Sequence, residues 1–450
     1  MSKSSHLTSH KPGGIRELVT LSLPLIAIAL SENLMIIFDR IILSHYSLEA
    51  LNIVTIASQC IEIFIYGIWA VTSISEIFVT VSYAENNFYE MATSCWQMIW
   101  LSLGSLLIII PAGIYLGPLV LKSNYQALGL PYFNLMLYTI PLVGIISSLA
   151  SFFVGQGQTK VLLISTLVIN IMNLVFDFVF IFGVKGLVPA MGPLGAALSA
   201  VLSLLIQVIW LLFIFLSRVN RKKHRTHYFY LKASLFIQCI KVGLPVAVGH
   251  VAEMTGWLLI LIIVSHANEL LLTVVSIGST IYLIFSFIID GLNRCLSTLA
   301  SNHLAHDEPN LVVQSFNNSL RIVLGLLVLL MVPLIFKPHL VLSLFNLPQH
   351  EGSWKSILNI NLIFLWAFLL FDALLWLVSA ILTAYRDTKF IMYTNILSMS
   401  IFTLLPVAYL FYINHLNPSY IWLLFCCYVF FSVILLAIRA YYMHTKEITE

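Results

Sequence analysis

The chain has 450 residues, 60% of them hydrophobic and only 9% charged, with a formal net charge of +3 and a mean hydropathy of +0.98. Soluble domains hold about half apolar and a quarter charged residues, so a water-soluble globule is excluded. Runs of the ~20 apolar residues that cross a hydrocarbon core recur along nearly the whole length, and no polar stretch between them has room for a soluble domain.

In chain order, a Ser-, His- and Lys-rich tail (1–15) precedes a first span at 16–43, which is too long for a signal-peptide core and is expected to remain as a helix. Further spans are predicted at 50–81, 91–121, 131–154, 161–183 and 191–217. A basic segment, 218–234, then leads to spans at 235–264, 270–300, 317–336, 357–384, 390–413 and 419–442, with a short tail over 443–450. The fold class is therefore an all-α integral membrane protein of about twelve transmembrane helices. Cys60, Cys95, Cys239, Cys295, Cys426 and Cys427 all fall in or beside spans, which argues against a disulfide framework or a metal-ligand pattern.

Lys and Arg are distributed unevenly. Lys3, Lys11, Arg16, Lys160, Arg321, Arg386, Lys389, Arg439, Lys446 and the six cations between Arg218 and Lys232 share one side, against Lys122, Lys185, Lys337 and Lys355 on the other. By the positive-inside rule both termini and the central basic segment are cytoplasmic. That segment reads as a topology determinant, and an anionic-lipid surface is the second reading.

An internal repeat divides the chain. A shift of 221 residues superposes Leu23-Pro24 on Leu244-Pro245, Glu32 on Glu253, and Ser44-His45 on Ser265-His266; a shift of 229 sets Thr159-Lys160 on Thr388-Lys389. The pattern predicts two pseudo-symmetric six-helix lobes, 16–217 and 235–442, related by an axis along the membrane normal. Pro24, Pro111, Pro141, Pro245, Pro333 and Pro406 lie in or near spans, where ordinary kinking is expected; Pro24 and Pro245 each precede a membrane carboxylate by eight residues.

Charges at mid-depth need a reason, because a carboxylate costs about 2.5–3.5 kcal/mol at the centre of a spanning helix. Glu253 and Asp372 fall near the centres of the seventh and tenth spans and are the leading candidates for exchangeable binding of a proton or a cation. Glu32 and Asp39 are seven residues apart, two turns along the first span, although an interfacial pair with Arg40 also explains Asp39. Glu62, Asn170, Asn173 and Asp177 make the first half acidic and amide-rich. Asp290 and Arg294 are spaced to neutralise each other on the eighth span; an Arg294 turned to the lobe interface would instead favour an anionic substrate. His45, His250, His266 and His303 form no HExxH pattern, and no nucleophile elbow or phosphate loop is present, so no catalytic constellation and no cofactor are expected.

The order of several blocks resembles the multidrug and toxic compound extrusion (MATE) family. These are Leu23-Pro24 through Asp39, Gly155-Gln156-Gly157-Gln158-Thr159, and Asn173 with Asp177 and Gly183. They continue with Pro189 to Ala197, Gly243-Leu244-Pro245 with Glu253, Phe371-Asp372-Ala373, and Arg386-Asp387-Thr388. The resemblance implies lobes forming a V about a central cleft, and export of small organic cations against inward Na⁺ or H⁺. In its NorM-like branch the coupling pair matches Glu253 and Asp372; other branches rely on an Asp matching Asp39. Departures are the run Ser82 to Asn87, where glycines are usual, and the polar eighth span. A monomer in the bacterial inner membrane, surrounded by lipid and without a nucleic-acid partner, is expected. The rivals are a lipid-linked saccharide flippase, which needs cations in its cleft, and a membrane-embedded acyltransferase, which needs a catalytic pair.

Overall fold

A computed structural model describes residues 7–120, 126–267, 269–343, 352–413 and 417–449; some side chains within the helices, Glu32 and Arg40 among them, lie outside the described set. The described chain is almost entirely helical. In order the helices are α1 (Ile15–Tyr46), α2 (Leu48–Ser73), α3 (Ser75–Ala84), α4 (Phe88–Val120), α5 (Gln126–Met136), α6 (Thr139–Val154), α7 (Thr159–Ile181), α8 (Pro193–Phe215) and α9 (Arg218–His224). They continue with α10 (Ala233–Ala267), α11 (Glu269–Ala305), α12 (Pro309–Met331), α13 (His339–Leu342), α14 (Gly352–Ala384), α15 (Thr388–Met399), α16 (Leu405–Tyr412) and α17 (Ile421–Thr449). Eleven spans among the described residues are long and apolar enough to cross a membrane, three of them built from two successive helices, and α1 adds a further helix of 32 residues.

Three predicted spans are interrupted, each for a local reason. Between α2 and α3 the hydroxyls of Thr72 and Ser75 donate back to the carbonyls of Ile68 (2.9 Å) and Thr72 (2.7 Å), a competition that bends helices. Between α5 and α6 the interruption precedes Pro141, which has no N–H for the carbonyl of Leu137 and so sits in the first turn of a new helix rather than kinking an old one. Between α15 and α16 a π-helical turn, Ser400–Leu404, leads into Pro406 at the start of α16. A second π-helical turn, Val332–Phe336, absorbs Pro333 at the end of α12. Pro24, Pro111 and Pro245 do lie inside helices.

The chain forms two compact units, one holding Leu7 and Leu23–Ala247, the other Thr8–Ser22 and Val248–Glu450. In the first, α2, α4 and α6 pack together, α7 pairs with α8, and the core includes Ala57, Ile61, Phe133, Ile140, Ile181 and Ala197. Gly195 lets α8 lie directly on the carbonyl of Phe180 at the end of α7, where a Cβ would collide with backbone. In the second unit α14 packs against α11, α12 and α17 around Phe368, Trp422 and Phe425, whose rings meet edge to face at 5.2–5.3 Å.

The basic segment after α8 is strapped to α4. Trp96 Nε1 donates to Thr226 O (2.9 Å), Trp100 Nε1 to Phe229 O (3.2 Å) and Gln97 Nε2 to Tyr230 O (2.9 Å), while Lys232 N donates to Gln97 Oε1 (3.0 Å). Lys232 also faces Glu90 at 3.7 Å. His224 is buried against Phe88 and Phe152, 5.1 and 5.7 Å between ring centroids, and desolvation, with Lys223 beside it, lowers its pKa to about 4.

Candidate functional site

Glu253 on α10 and Asp372 on α14 come together in the second unit. Both lie on long apolar helices, and burial alone would make them costly, so what surrounds them decides their role. Tyr428 Oη of α17 donates to Glu253 Oε1 at 3.3 Å, and Trp257, one turn along α10, lies beside that carboxyl. Asp372 is 2% exposed; its carboxyl meets Trp376, one turn along α14, and Tyr282 of α11, and lies within electrostatic reach of Glu253. Its Oδ2 is buried with no hydrogen-bond partner among the described residues. His250 stacks on Trp376 at 5.9 Å, and Trp257 meets Phe425 and Tyr428 at 4.9 and 6.2 Å.

The result is two carboxyls within a set of phenol and indole donors, walled by aromatic faces. Carboxylate charge attracts a cation, ring faces favour an organic one, and the unsatisfied oxygen of Asp372 is free to take a proton or an ion. Tyr282, Trp376, Tyr428 and Trp257 were not read from the sequence as site residues. A signal was there: Glu253 and Asp372 are each followed by Trp at the fourth position, one helical turn away.

A second polar cluster belongs to the first unit. Asp39 of α1 and Asp177 of α7 lie within electrostatic reach of each other, two carboxyls of like charge in one buried cluster. Asp177 lies beside Ser199 of α8, whose hydroxyl accepts from Asn173 Nδ2 and donates to Asn173 O, both at 3.0 Å. Asn170 Nδ2 donates to Ser31 Oγ at 2.7 Å. The partner of Asp39 is thus an acid on another helix; its neighbour Arg40 and the candidate Glu32 lie outside the described side chains.

On α11, Asp290 and Arg294 are half-buried, and neither lacks a partner. Asn293, between them, donates to the carbonyl of Trp376 at 2.6 Å. The polar character of this helix therefore includes a bond that fixes α14 beside Asp372.

The family model described as MatE matches the chain twice, over residues 24–179 and 245–410. The two matches begin 221 residues apart, the shift that superposes Leu23-Pro24 on Leu244-Pro245. A probable multidrug resistance protein NorM of Mannheimia succiniciproducens is 21% identical over 98% of this chain and 96% of its own length. Another, from Oceanobacillus iheyensis, is 30% identical over 42% of this chain and 43% of its own. Among solved structures, the outward-facing conformation of a multidrug resistance MATE family transporter of the MOP superfamily superposes with a TM-score of 0.83 at 15% identity, covering 99% of both chains. A MOP superfamily transporter from Pyrococcus furiosus, described by a reversed polarity of its binding pocket, gives 0.80 at 16% identity over 99% of this chain and 98% of that one.

Proposed function

Since the chain belongs to the MatE family of membrane transporters, we propose that it is a secondary active exporter that exchanges organic cations for Na⁺ or H⁺ by alternating access. The observation that carries this reading is the enclosure of Glu253 and Asp372 by Tyr282, Trp376, Tyr428 and Trp257. Substrate cation and coupling ion compete for those carboxyls, so loading the ion releases the substrate, and the Asp39–Asp177 pair is a second protonatable store. An elementary charge crossing 100 mV carries about 2.3 kcal/mol, so one coupled ion sustains roughly fiftyfold accumulation. A flippase of lipid-linked saccharides needs cations around its ligand, whereas this site is lined by acids, phenols and indoles. The same reading takes the protein as a monomer in the bacterial inner membrane, both termini cytoplasmic, with lipid around it and no bound cofactor.

The test is ethidium efflux from cells lacking their own exporters, comparing the parent with Glu253→Gln and Asp372→Asn at varied Na⁺ and pH. Export by the parent, abolished by both substitutions at equal expression, is expected, and the ion that sets the parent's rate is the coupling ion. Full efflux by the double variant would remove this site from the mechanism.

A further inference from the structure

At one end of the second unit a cavity of about 520 Å³ opens between the start of the chain and α12. Its construction sorts charge by sign. Gly13 adopts φ 69° and turns the chain, its N–H donating to Glu17 Oε2 (2.7 Å) while Thr8 Oγ1 donates to Oε1 (3.3 Å). Glu17, only 1% exposed, thus points inward and is satisfied. Its neighbours face the other way. His10, Lys11 and Arg16 are exposed and line the cavity, opposite Gln314 and Asn318 of α12. Gln314, Asn318 and Arg321 share one face of that helix, Asn318 Nδ2 donating to Gly13 O (2.8 Å) and Arg321 Nη1 to Asn318 Oδ1 (3.3 Å).

No carboxylate lines the cavity; Asp307 and Glu308, just before α12, are not among its walls. Among the described residues neither Lys11 nor Arg16 makes an ion pair. The first turn of α1, beginning at Ile15, adds the positive end of a 32-residue helix. The cavity also stands where α1 and α12 begin, at one end of the span Pro309–Phe336, which is long and apolar enough to cross a membrane. The geometry points to a binding site for a phosphate-bearing anion, with Lys11 and Arg16 as its charged ligands and the side-chain amide of Gln314 as a further donor. The volume is of small-molecule size, roughly 300–1,000 Å³, and suits a phosphate together with its glycerol better than a bare ion.

Native mass spectrometry of the purified full chain, with dioleoyl phosphatidylglycerol or dioleoyl phosphatidylcholine added, tests the assignment; melting with inorganic phosphate tests for a soluble ligand. The parent is expected to retain one phosphatidylglycerol under conditions that strip phosphatidylcholine. Each cation removed should weaken retention roughly fivefold, and Lys11→Gln with Arg16→Gln roughly thirtyfold. Lys222→Gln with Lys223→Gln, on α9, should leave that adduct in place. Both pocket side chains are exposed, so the double variant should keep the parent's melting temperature; His10→Gln with Lys11→Gln serves if it does not. Stabilisation of the parent by phosphate, lost in the double variant and without a lipid preference, would identify a soluble anion at the same site. If the pocket variants bind phosphatidylglycerol and phosphate as the parent does, the assignment is wrong.

Discussion

Gln97→Leu should loosen the strap that holds the segment between α8 and α10. Gln97 is 0% exposed and makes two bonds to that segment, donating to Tyr230 O at 2.9 Å and accepting from Lys232 N at 3.0 Å. Leucine preserves most of the volume but neither bond. At a net value of about 1 kcal/mol per hydrogen bond the loss is about 2 kcal/mol, or roughly thirtyfold in the population of the detached segment. Trp96 and Trp100 keep their own bonds to Thr226 and Phe229, so detachment should concentrate at the Lys232 end. Tryptic cleavage after Lys232 in the detergent-solubilised protein, followed by mass spectrometry, reads that population when opening is fast relative to cleavage. A cleavage rate within a factor of two of the parent's would show that the strap is not held by Gln97.

Three further outcomes are expected. The pKa of His224 falls from 6.5 to about 4 on folding, so its neutral burial contributes stability that is complete above pH 6.5 and lost as pH drops toward 4; His224→Phe should reduce the loss of unfolding free energy between pH 7 and 5 by about 1–3 kcal/mol, read as a shallower fall in melting temperature. Tyr428→Phe removes the 3.3 Å donor to Glu253 while keeping the ring, and should shift half-saturation for ethidium roughly fivefold with expression unchanged, measured in proteoliposomes. Gly195→Ala forces a Cβ onto the Phe180 carbonyl and should destabilise the first unit by about 1–3 kcal/mol, seen as a lower melting temperature than Gly104→Ala, where a Cβ meets nothing.

The spans were legible because hydrocarbon thickness imposes run lengths that few soluble segments imitate. Their interruptions were less so: Pro141 and Pro406 read equally well as kinks, and only the backbone shows that they start helices. Glu253 and Asp372 stand out because ionisable residues are rare in such runs. Of their aromatic partners only Trp257 and Trp376 are marked, by their place one turn after each acid; Tyr282 and Tyr428 are not, since Tyr is frequent in membrane helices for packing and interfacial reasons. The Asp39–Asp177 contact joins α1 to α7, and no sequence pattern links the two, whereas Arg40 offered an adjacent partner. In the basic segment the cations drew attention, although Tyr228, Phe229 and Tyr230 mark it as a docked element.

The repeat carries a lesson about inheritance. The shift of 221 sets Asp39 on Ile260, a buried apolar residue, and the shift of 229 sets Asp177 on Pro406 and Asp372 on Val143. Glu32 and Glu253 are thus repeat counterparts, whereas Asp39, Asp177 and Asp372 have none. The two units share a helical scaffold and one acid at a matched position, but their remaining carboxylates stand at positions that the other unit fills with Ile260, Pro406 or Val143. A substitution at Asp39, Asp177 or Asp372 therefore alters one unit alone, because the repeat holds no second copy of that acid.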